Sequence, residues 1–568
     1  MKVNLLAMSL VAFGVLSAAA EIEMWSVPPV AAEMRLADTF PEDGVKGGPV
    51  EFIVTPGEVA SGSVVLRSDT DLKNLTLKAE GDFAEAMDPF VVKLWYQGGS
   101  AWYGYFADTS SRKLVPELLL HDETLVEIDP ATQDNYVRYV NTDGETRRVW
   151  MSASYDAVDY SFDAQANQDL IRDADELRPF SLDKGKFKQI FILFRVPESA
   201  KDGHYRGAFV LRNGAQSQRI PYAIRVLPFT LPTPKTSYNP EKDFHLLMYG
   251  THGRNEKVMK NLAEHGCLTP MGLPKADPMN PRGFKDDVAL MKKFGFPCKP
   301  IFFGMLSSGV TVKGAEPTPE EAAKLEQARD TIAKDRALIE ETLGHHDFYS
   351  YGVDEGYPDV IRSERRNWRV THEAGGKIGV STRAWRELLY ALDFMILPGM
   401  PARLRAEEVR LFHDANPDAL CGWYANPHTG PENPDYFRRI HGLVAWHTGY
   451  DVSANYCWWR NNWNDMATPY EPELRGLVIV YGTKDSVLST LAWEGVREGM
   501  TDIRYATLCR QLALEAAKSN DGDTLLLGRR VLSFIAYWDA WHGDPEAFRY
   551  ECINNILKLR KALGKEER

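Results

Sequence analysis

The pattern of apolar residues changes at one proline-rich stretch. Its prolines are Pro228, Pro232, Pro234 and Pro240. Before this stretch, short alternating or β-branched runs are separated by turn sequences, which is typical of a β-sandwich. After it, apolar runs alternate with amphipathic segments, which is typical of strands alternating with helices. Because proline removes a backbone donor and stiffens a linker, we predict a domain boundary here.

The domain organisation follows from this boundary. We predict an N-terminal antiparallel β-sandwich over residues 21–235, in which the pair Asn213-Gly214 forms a hairpin turn. A catalytic barrel is predicted over 240–475. A strand pair and C-terminal helices packed on the barrel are predicted over 476–568, with strands at 477–481 and 487–491.

The barrel prediction depends on eight apolar runs. They are residues 244–249, 267–271, 300–305, 348–354, 377–381, 394–397, 419–424 and 452–458. Eight strands alternating with helices are the pattern of a (β/α)8 TIM-like barrel, whose active sites lie at the C-terminal ends of the strands. One helix start is also marked, because Thr318, Pro319 and Glu321 match an N-cap, a first-turn proline and a capping box.

The first twenty residues predict a secretory signal peptide. Lys2 precedes an apolar run, and Ala18-Ala19-Ala20 offers small residues for cleavage after Ala20. We therefore expect a secreted or periplasmic protein without a membrane span. The six cysteines are scattered and form no C-x-x-C motif, so buried free thiols are expected.

The net charge and the absence of certain motifs exclude several classes of binding partner and cofactor. The formal net charge is −13, which disfavours nucleic acid because phosphates would be repelled. The sequence has no H-E-x-x-H motif, no P-loop and no dinucleotide-binding fingerprint, so it implies neither a metal nor a cofactor.

Two adjacent carboxylates, Asp354 and Glu355, follow the fourth predicted strand. Alternation along that strand predicts that Ser350, Gly352 and Asp354 face the barrel interior, while the bulkier tyrosines between them face the helices. At the C-terminal end of a barrel strand, such a pair indicates catalysis. The alternative is an acidic loop in solvent.

Their adjacency also bears on mechanism. A conventional retaining glycosidase places its two carboxylates on different sides of the sugar, about 5–5.5 Å apart. Neighbouring residues have Cα atoms only about 3.8 Å apart, and the seventh strand ends at Asn426 without a carboxylate. This pattern favours a substrate-assisted reaction. Glu355 would then be the general acid/base, and Asp354 would orient the 2-acetamido group that attacks the anomeric carbon.

Aromatic and amide side chains lie at the ends of the first, seventh and eighth predicted strands. We predict that five of them bind substrate: Trp423, Tyr424, Asn455, Trp459 and Tyr249. Flat apolar faces and amides are suited to sugar rings and their hydroxyls. The alternative is that part of this set packs in the core.

Four arginines follow the acidic pair: Arg362, Arg365, Arg366 and Arg369. A solvated helix face accounts for them. The alternative is a clamp for an anionic substituent such as sulfate.

The sequence resembles glycoside hydrolase family 123 and the related family called domain of unknown function 4091. The resemblance covers roughly residues 190–520. It rests on the Asp354-Glu355 pair, on the sandwich before the barrel, and above all on residues 490–505, TLAWEGVREGMTDIRY. It implies an exo-acting β-N-acetylgalactosaminidase that uses substrate assistance, with the family's Asp-Glu pair at Asp354 and Glu355.

The chain departs from the family pattern directly after this pair. Many relatives have proline there, whereas this chain has Gly356-Tyr357-Pro358. A glycan or amino-sugar substrate is expected in either case. Two alternatives to the galactosaminidase remain: a glycosidase for another sugar, and a non-catalytic glycan-binding protein.

Overall fold

The computed structural model describes residues 22–97, 112–141, 143–150, 171–251, 254–306, 312, 314, 316–382, 392–399, 405–425, 433–459 and 478–565. The expected signal peptide lies outside the described residues. Among the described residues, no helix has the length and apolar character needed to cross a lipid bilayer. All six cysteines are buried free thiols, as predicted.

Short strands make up the first part of the chain. In chain order they are β1 (Ile22–Val27), β2 (Val45–Lys46), β3 (Val50–Val54), β4 (Val59–Ser68), β5 (Leu72–Gly81), β6 (Met87–Gln97), β7 (Lys113–Leu120), β8 (Val126–Asp129), β9 (Asp134–Val140), β10 (Thr146–Trp150), β11 (Phe180–Leu182), β12 (Phe187–Arg195), β13 (Gly203–Asn213) and β14 (Gln216–Val226).

Two large sheets and one small sheet are built from these strands. Their orders are β2-β1-β4-β12-β6-β7, β11-β5-β13-β14-β3 and β10-β9-β8. The two large sheets pack face to face through a shared core, in which Phe52 of one sheet meets Phe194 of the other with ring centroids 5.3 Å apart. The hairpin predicted at Asn213-Gly214 joins β13 to β14, and Gly214 has the positive φ of 57° that its turn requires. The sandwich-like N-terminal region is therefore confirmed.

A parallel sheet follows. Its strands are β15 (His245–Met248), β16 (Ile301–Leu306), β17 (Phe348–Tyr351), β18 (Lys377–Ser381), β19 (Phe394–Pro398), β20 (Leu420–Ala425) and β21 (Val452–Asn455). The order is β15-β21-β20-β19-β18-β17-β16, and every neighbouring pair is parallel. The sheet is curled, and its first and second strands in chain order, β15 and β16, form its two edges.

Residues 267–271, predicted as the second barrel strand, do not form a strand. They run irregularly between the two edges, where the Met271 N–H donates to the Met248 carbonyl (3.2 Å) and the Gly272 N–H donates to the Phe302 carbonyl (2.9 Å). This segment therefore bridges β15 and β16 through single hydrogen bonds. The described residues thus show seven of the eight predicted parallel strands.

Helices pack on the outer side of the parallel sheet. They are α1 (Glu256–Glu264), α2 (Pro281–Lys293), α3 (Pro319–Leu343), α4 (Pro358–Glu373), α5 (Arg405–Ala415), α6 (Pro434–Arg439) and α7 (Ala445–Thr448). An irregular turn, Ile440–Val444, joins α6 to α7. The predicted capping box opens α3: the Thr318 hydroxyl accepts from the Glu321 N–H (3.2 Å), and the Glu321 carboxylate accepts from the Thr318 N–H (2.8 Å).

The chain ends in a short strand pair and three long helices. These are β22 (Tyr481–Gly482), β23 (Val487–Leu488), α8 (Leu491–Ala516), α9 (Gly522–Tyr537) and α10 (Pro545–Ala562). The strand pair is shorter than predicted. The first strand begins at Tyr481, later than predicted, and the second ends at Leu488 because Thr490 already caps α8, its hydroxyl accepting from the Trp493 N–H (3.2 Å).

Helix α8 carries a buried network of ionised side chains. Glu498 contacts Arg549 of α10 (2.6 Å) and accepts a hydrogen bond from Ser61 of β4 (2.6 Å). One turn away, Asp502 contacts Arg438 of α6 (2.7 Å) and Arg549 (2.6 Å). Helix α8 therefore connects the sandwich, the parallel sheet's helices and the C-terminal helices through charged groups.

Candidate active site

The acidic pair lies directly beyond strand β17. The Gly352 N–H still donates to the Gly379 carbonyl of β18 (2.8 Å), and the Val353 N–H donates to the Glu364 carboxylate of α4 (2.8 Å). The chain then turns, and both Asp354 and Glu355 are exposed. The two residues before the pair are thus held by β18 and by α4, which places the pair at the C-terminal edge of the parallel sheet.

The backbone turns sharply at Glu355. This residue has a φ of 48°, in the left-handed region that non-glycine residues rarely adopt. Gly356 follows and is buried, and a Cβ atom there would lie 2.7 Å from Val353 Cγ1, so a larger residue would force the Val353 side chain to move. The Gly356 carbonyl accepts from the Thr382 hydroxyl (3.0 Å). The strained residue is therefore an acid of the candidate site, held by tightly packed neighbours.

Each carboxylate receives a hydrogen bond from a tyrosine. The Tyr351 hydroxyl donates to Asp354 Oδ1 (2.6 Å), and the Tyr424 hydroxyl donates to Glu355 Oε1. Burial, together with nearby Tyr249 and the charge of Asp354, raises the pKa of Tyr351, so this phenol stays protonated and donates at neutral pH. Two adjacent acids thus have separate donors, from β17 and β20.

Tyr249, which follows β15, completes this group of tyrosines. It is buried, and its ring centroid lies 5.9 Å from that of Tyr424. Burial chiefly, and the charges of Asp354 and Glu355 in addition, raise the pKa of Tyr249. The structure therefore brings Tyr249 and Tyr424 together with the acidic pair.

The inward and outward sides of β17 are the reverse of those predicted. Tyr349 and Tyr351 belong to the inner cluster with Phe302, Phe303 and Phe394. On the other side, a Cβ atom on Gly352 would lie 3.2 Å from the Trp368 indole nitrogen of α4. The interior accepts bulky rings because aromatic side chains from several strands fill it together. Asp354 reaches Tyr351 because the chain bends back after the strand has ended.

Trp423 is not brought to the acidic pair. It is fully buried, and its ring stacks on His441, with centroids 5.1 Å apart, in the core between sheet and helices. Tyr424 belongs to the inner cluster, because neighbouring residues of a strand point to opposite sides.

Asn455 and Trp459 are placed near the end of β21. Asn455 is buried, and its backbone carbonyl accepts from the Tyr249 N–H (3.1 Å). Trp459 is half-buried and its indole packs on Gly482 of β22. These contacts place Asn455 beside the end of β15 and Trp459 beside β22.

The four arginines of α4 lie along its solvent side. Arg362 pairs with Asp359 of the same helix, and Arg366 contacts Glu316 (3.2 Å). The solvated helix face accounts for these positions. Within the described residues, no three His, Cys, Asp or Glu side chains are grouped closely enough to hold a metal ion.

Sequence reasoning missed the part played by Tyr351. Its sequence position, three residues before Asp354 at the end of a strand, was visible. The reversed assignment of the strand's two sides placed its ring against the helices and so hid its contact with Asp354.

Neither a protein-family model nor a curated protein matches the sequence. Among solved structures, the fold is similar to that of a family 123 glycoside hydrolase from Clostridium perfringens, a structure that concerns glycolipid glycan hydrolysis. The TM-score is 0.58 at 11% identity, covering 96% of this chain and 98% of that chain. This likeness shows a shared multidomain fold over nearly the whole of both chains.

Two further matches are weaker. Bacteroides uniformis β-glucuronidase 3 matches with a TM-score of 0.27 at 11% identity, covering 80% of this chain and 50% of that chain. A structure described as a putative α-galactosidase from Bacteroides fragilis matches with a TM-score of 0.19 at 11% identity, covering 61% of this chain and 69% of that chain.

Proposed function

We propose that this chain is a secreted glycoside hydrolase, a retaining exo-β-N-acetylgalactosaminidase that uses substrate assistance. One observation carries the proposal. Asp354 and Glu355 are adjacent at the C-terminal edge of a parallel sheet, and each accepts a hydrogen bond from its own tyrosine. The whole-chain likeness to a family 123 glycoside hydrolase fold supports it. We also propose that segment 267–272 completes a barrel with the seven strands.

The proposal gives the two acids different tasks. Asp354, which accepts a hydrogen bond from the Tyr351 hydroxyl, orients the N–H of the substrate's 2-acetamido group. The acetamido oxygen attacks the anomeric carbon while Glu355 gives its proton to the leaving oxygen. Water then opens the cyclic intermediate and returns a proton to Glu355, so two inversions give net retention. Tyr424 and Tyr249 line this edge.

The expected substrate is a terminal β-linked N-acetylgalactosamine. A panel of aryl β-glycosides with and without a 2-acetamido group tests this. Turnover of the acetamido substrates alone supports the proposal, whereas hydrolysis of plain galactosides contradicts substrate assistance. Binding of glycans without any turnover favours a non-catalytic glycan-binding protein.

The division of labour gives a sharper test. Glu355→Gln should reduce kcat/KM by roughly 10²–10⁴-fold on sugars with poor leaving groups, and far less on activated aryl glycosides that need little acid help. Asp354→Asn should impair both substrate types alike, since attack by the acetamido oxygen is common to them. Glu373→Gln, an exposed acid at the other end of α4, is the matched control. Full activity in either Asp354→Asn or Glu355→Gln would contradict the proposal.

A further inference from the structure

Tyr357 presents an exposed aromatic ring beside the acidic pair. It lies two residues after Glu355, and its side chain is 77% exposed. One helical turn later, Val360 is also exposed. Single exposed apolar side chains are common and require no explanation. Tyr357 differs from them because of its position next to the proposed acid and because its backbone is firmly held.

The backbone of Tyr357 is fixed on both sides. Before it, the carbonyl of the buried Gly356 accepts from the Thr382 hydroxyl of the neighbouring strand end (3.0 Å). After it, the Tyr357 carbonyl accepts from the Ile361 N–H (3.0 Å), and Ile361 is fully buried. Pro358 then begins α4 with a restricted φ. The ring therefore projects into solvent from a rigid base.

The ring makes no capping contact that would account for it. Tyr357 occupies the N-cap position of α4, and its side chain makes no capping hydrogen bond. Serine, threonine, aspartate or asparagine would stabilise the helix better at this position, because their side chains accept a hydrogen bond from the first turn. The position thus carries an exposed aromatic ring where local stability favours a small polar residue.

We infer that Tyr357 forms the platform of a leaving-group subsite, on which the sugar or aryl ring released by the reaction stacks. This inference rests on the proposed function. Because Glu355 protonates the leaving oxygen, the leaving group must lie on the Glu355 side of the bond that breaks. Two peptide units bring the Cα atoms of Tyr357 and Glu355 within about 7 Å, so the ring can reach the group attached to that oxygen.

The chemistry of the ring fits a pyranose or aryl group. An aromatic face packs against an apolar ring face, and the phenol tip can hydrogen-bond to a hydroxyl. A ring mounted on a fixed backbone loses little conformational freedom when it binds, which favours affinity.

The experiment compares three donors that share N-acetylgalactosamine and differ in leaving group. They are a β-linked disaccharide to galactose, a 4-nitrophenyl β-glycoside and the glycosyl fluoride, whose leaving group has no ring. The variants are Tyr357→Ala and Tyr357→Phe. Tyr537→Ala is the matched control, because Tyr537 at the end of α9 is also strongly exposed, at 87%.

Tyr357→Ala should lower kcat/KM roughly three- to tenfold on the disaccharide and the aryl glycoside, the range expected for one lost stacking contact. Its kcat/KM on the fluoride should equal that of the wild type. Tyr357→Phe should retain most activity on all three donors, and Tyr537→Ala should be unaffected.

Two results would overturn the inference while leaving the proposed function intact. One is wild-type activity of Tyr357→Ala on the ring-bearing donors. The other is an equal loss on all three donors, which would indicate a structural role. A wild-type protein that hydrolyses none of the donors would instead overturn the proposed function, and the subsite with it.

Discussion

At the scale of single residues, neighbouring positions on one strand have opposite surroundings. Trp423 stacks on His441 among the helices, whereas Tyr424 donates a hydrogen bond to Glu355. Alternation could have excluded one of them from the site, since adjacent strand residues point to opposite sides. Which one faces inward was not evident from residue size. Aromatic rings fill both the interior of this sheet and its helix-covered face.

Tyr424→Phe should separate positioning of the acid from substrate binding. If Tyr424 acts by orienting Glu355, losing its hydroxyl should lower kcat about ten- to a hundredfold on a poor leaving group, the effect of one hydrogen bond to the carboxylate charge that develops as Glu355 gives up its proton. KM should change little, and the loss should shrink on an activated aryl glycoside. Steady-state kinetics on both substrates measure this. A raised KM with unchanged kcat would instead make Tyr424 a binding residue.

At the scale of elements, the sequence predicted best those features that local chemistry determines. The capping box of Thr318 and Glu321 opens α3 where predicted, because both hydrogen bonds form between residues three apart. The predicted strand at 267–271 failed because that segment meets its neighbours through isolated hydrogen bonds. Such contacts depend on how residues distant in the chain are brought together. A run of five residues contains no information about that.

Helix α3 also contains a buried carboxyl group. Asp335 is 2% exposed, and its Oδ1 has no hydrogen-bond partner. Burial, with a further contribution from nearby Asp277, raises the pKa of Asp335 to about 7. Since the folded pKa exceeds the unfolded value of about 3.9, this group favours the folded state at low pH and loses that contribution as pH rises through 7.

Asp335→Asn should therefore stabilise the protein at alkaline pH. We expect a gain of about 1–3 kcal/mol at pH 8.5, the cost of burying an unpartnered polar group. The gain should be smaller at pH 5, which lies between the unfolded and the folded pKa of Asp335. Urea unfolding at both pH values measures the difference from wild type. Asp330→Asn, on the exposed side of the same helix, is the matched control and should change stability at neither pH. A gain of equal size at both pH values would contradict the assignment.

At the scale of the whole molecule, the stretch that carried most of the family resemblance lies in the buried helix that connects the regions of the chain. Residues 490–505 begin α8, and Glu494, Arg497, Glu498 and Asp502 within it are buried. Burial alone would raise the pKa of Glu494, but the charges of His265 and Arg497 outweigh it and lower this pKa to about 2. The sequence motif therefore lies where the regions of the chain join, whereas the proposed chemistry depends on two adjacent acids elsewhere.

The network gives a prediction about stability that is independent of catalysis. Glu498 lies between Arg497 (2.9 Å) and Arg549 (2.6 Å) and accepts from Ser61 (2.6 Å). Glu498→Gln keeps the volume but removes the charge, which leaves two buried guanidinium groups undercompensated. Removing one partner of a buried ion pair typically costs about 3–5 kcal/mol, and we expect a loss of that size in the free energy of unfolding.

Chemical unfolding at neutral pH, followed by tryptophan fluorescence, measures this loss. Glu515→Gln is the matched control: Glu515 lies on the same helix, but it pairs with Lys565 in solvent (2.5 Å) and half of its side chain is exposed. Exposed pairs contribute about 0–1 kcal/mol, so this variant should unfold close to wild type. Equal losses in the two variants would show that loss of any negative charge on α8 lowers stability, whether the charge is buried or exposed. A loss confined to Glu498→Gln would show that the buried network holds the sandwich, the parallel sheet's helices and the C-terminal helices together.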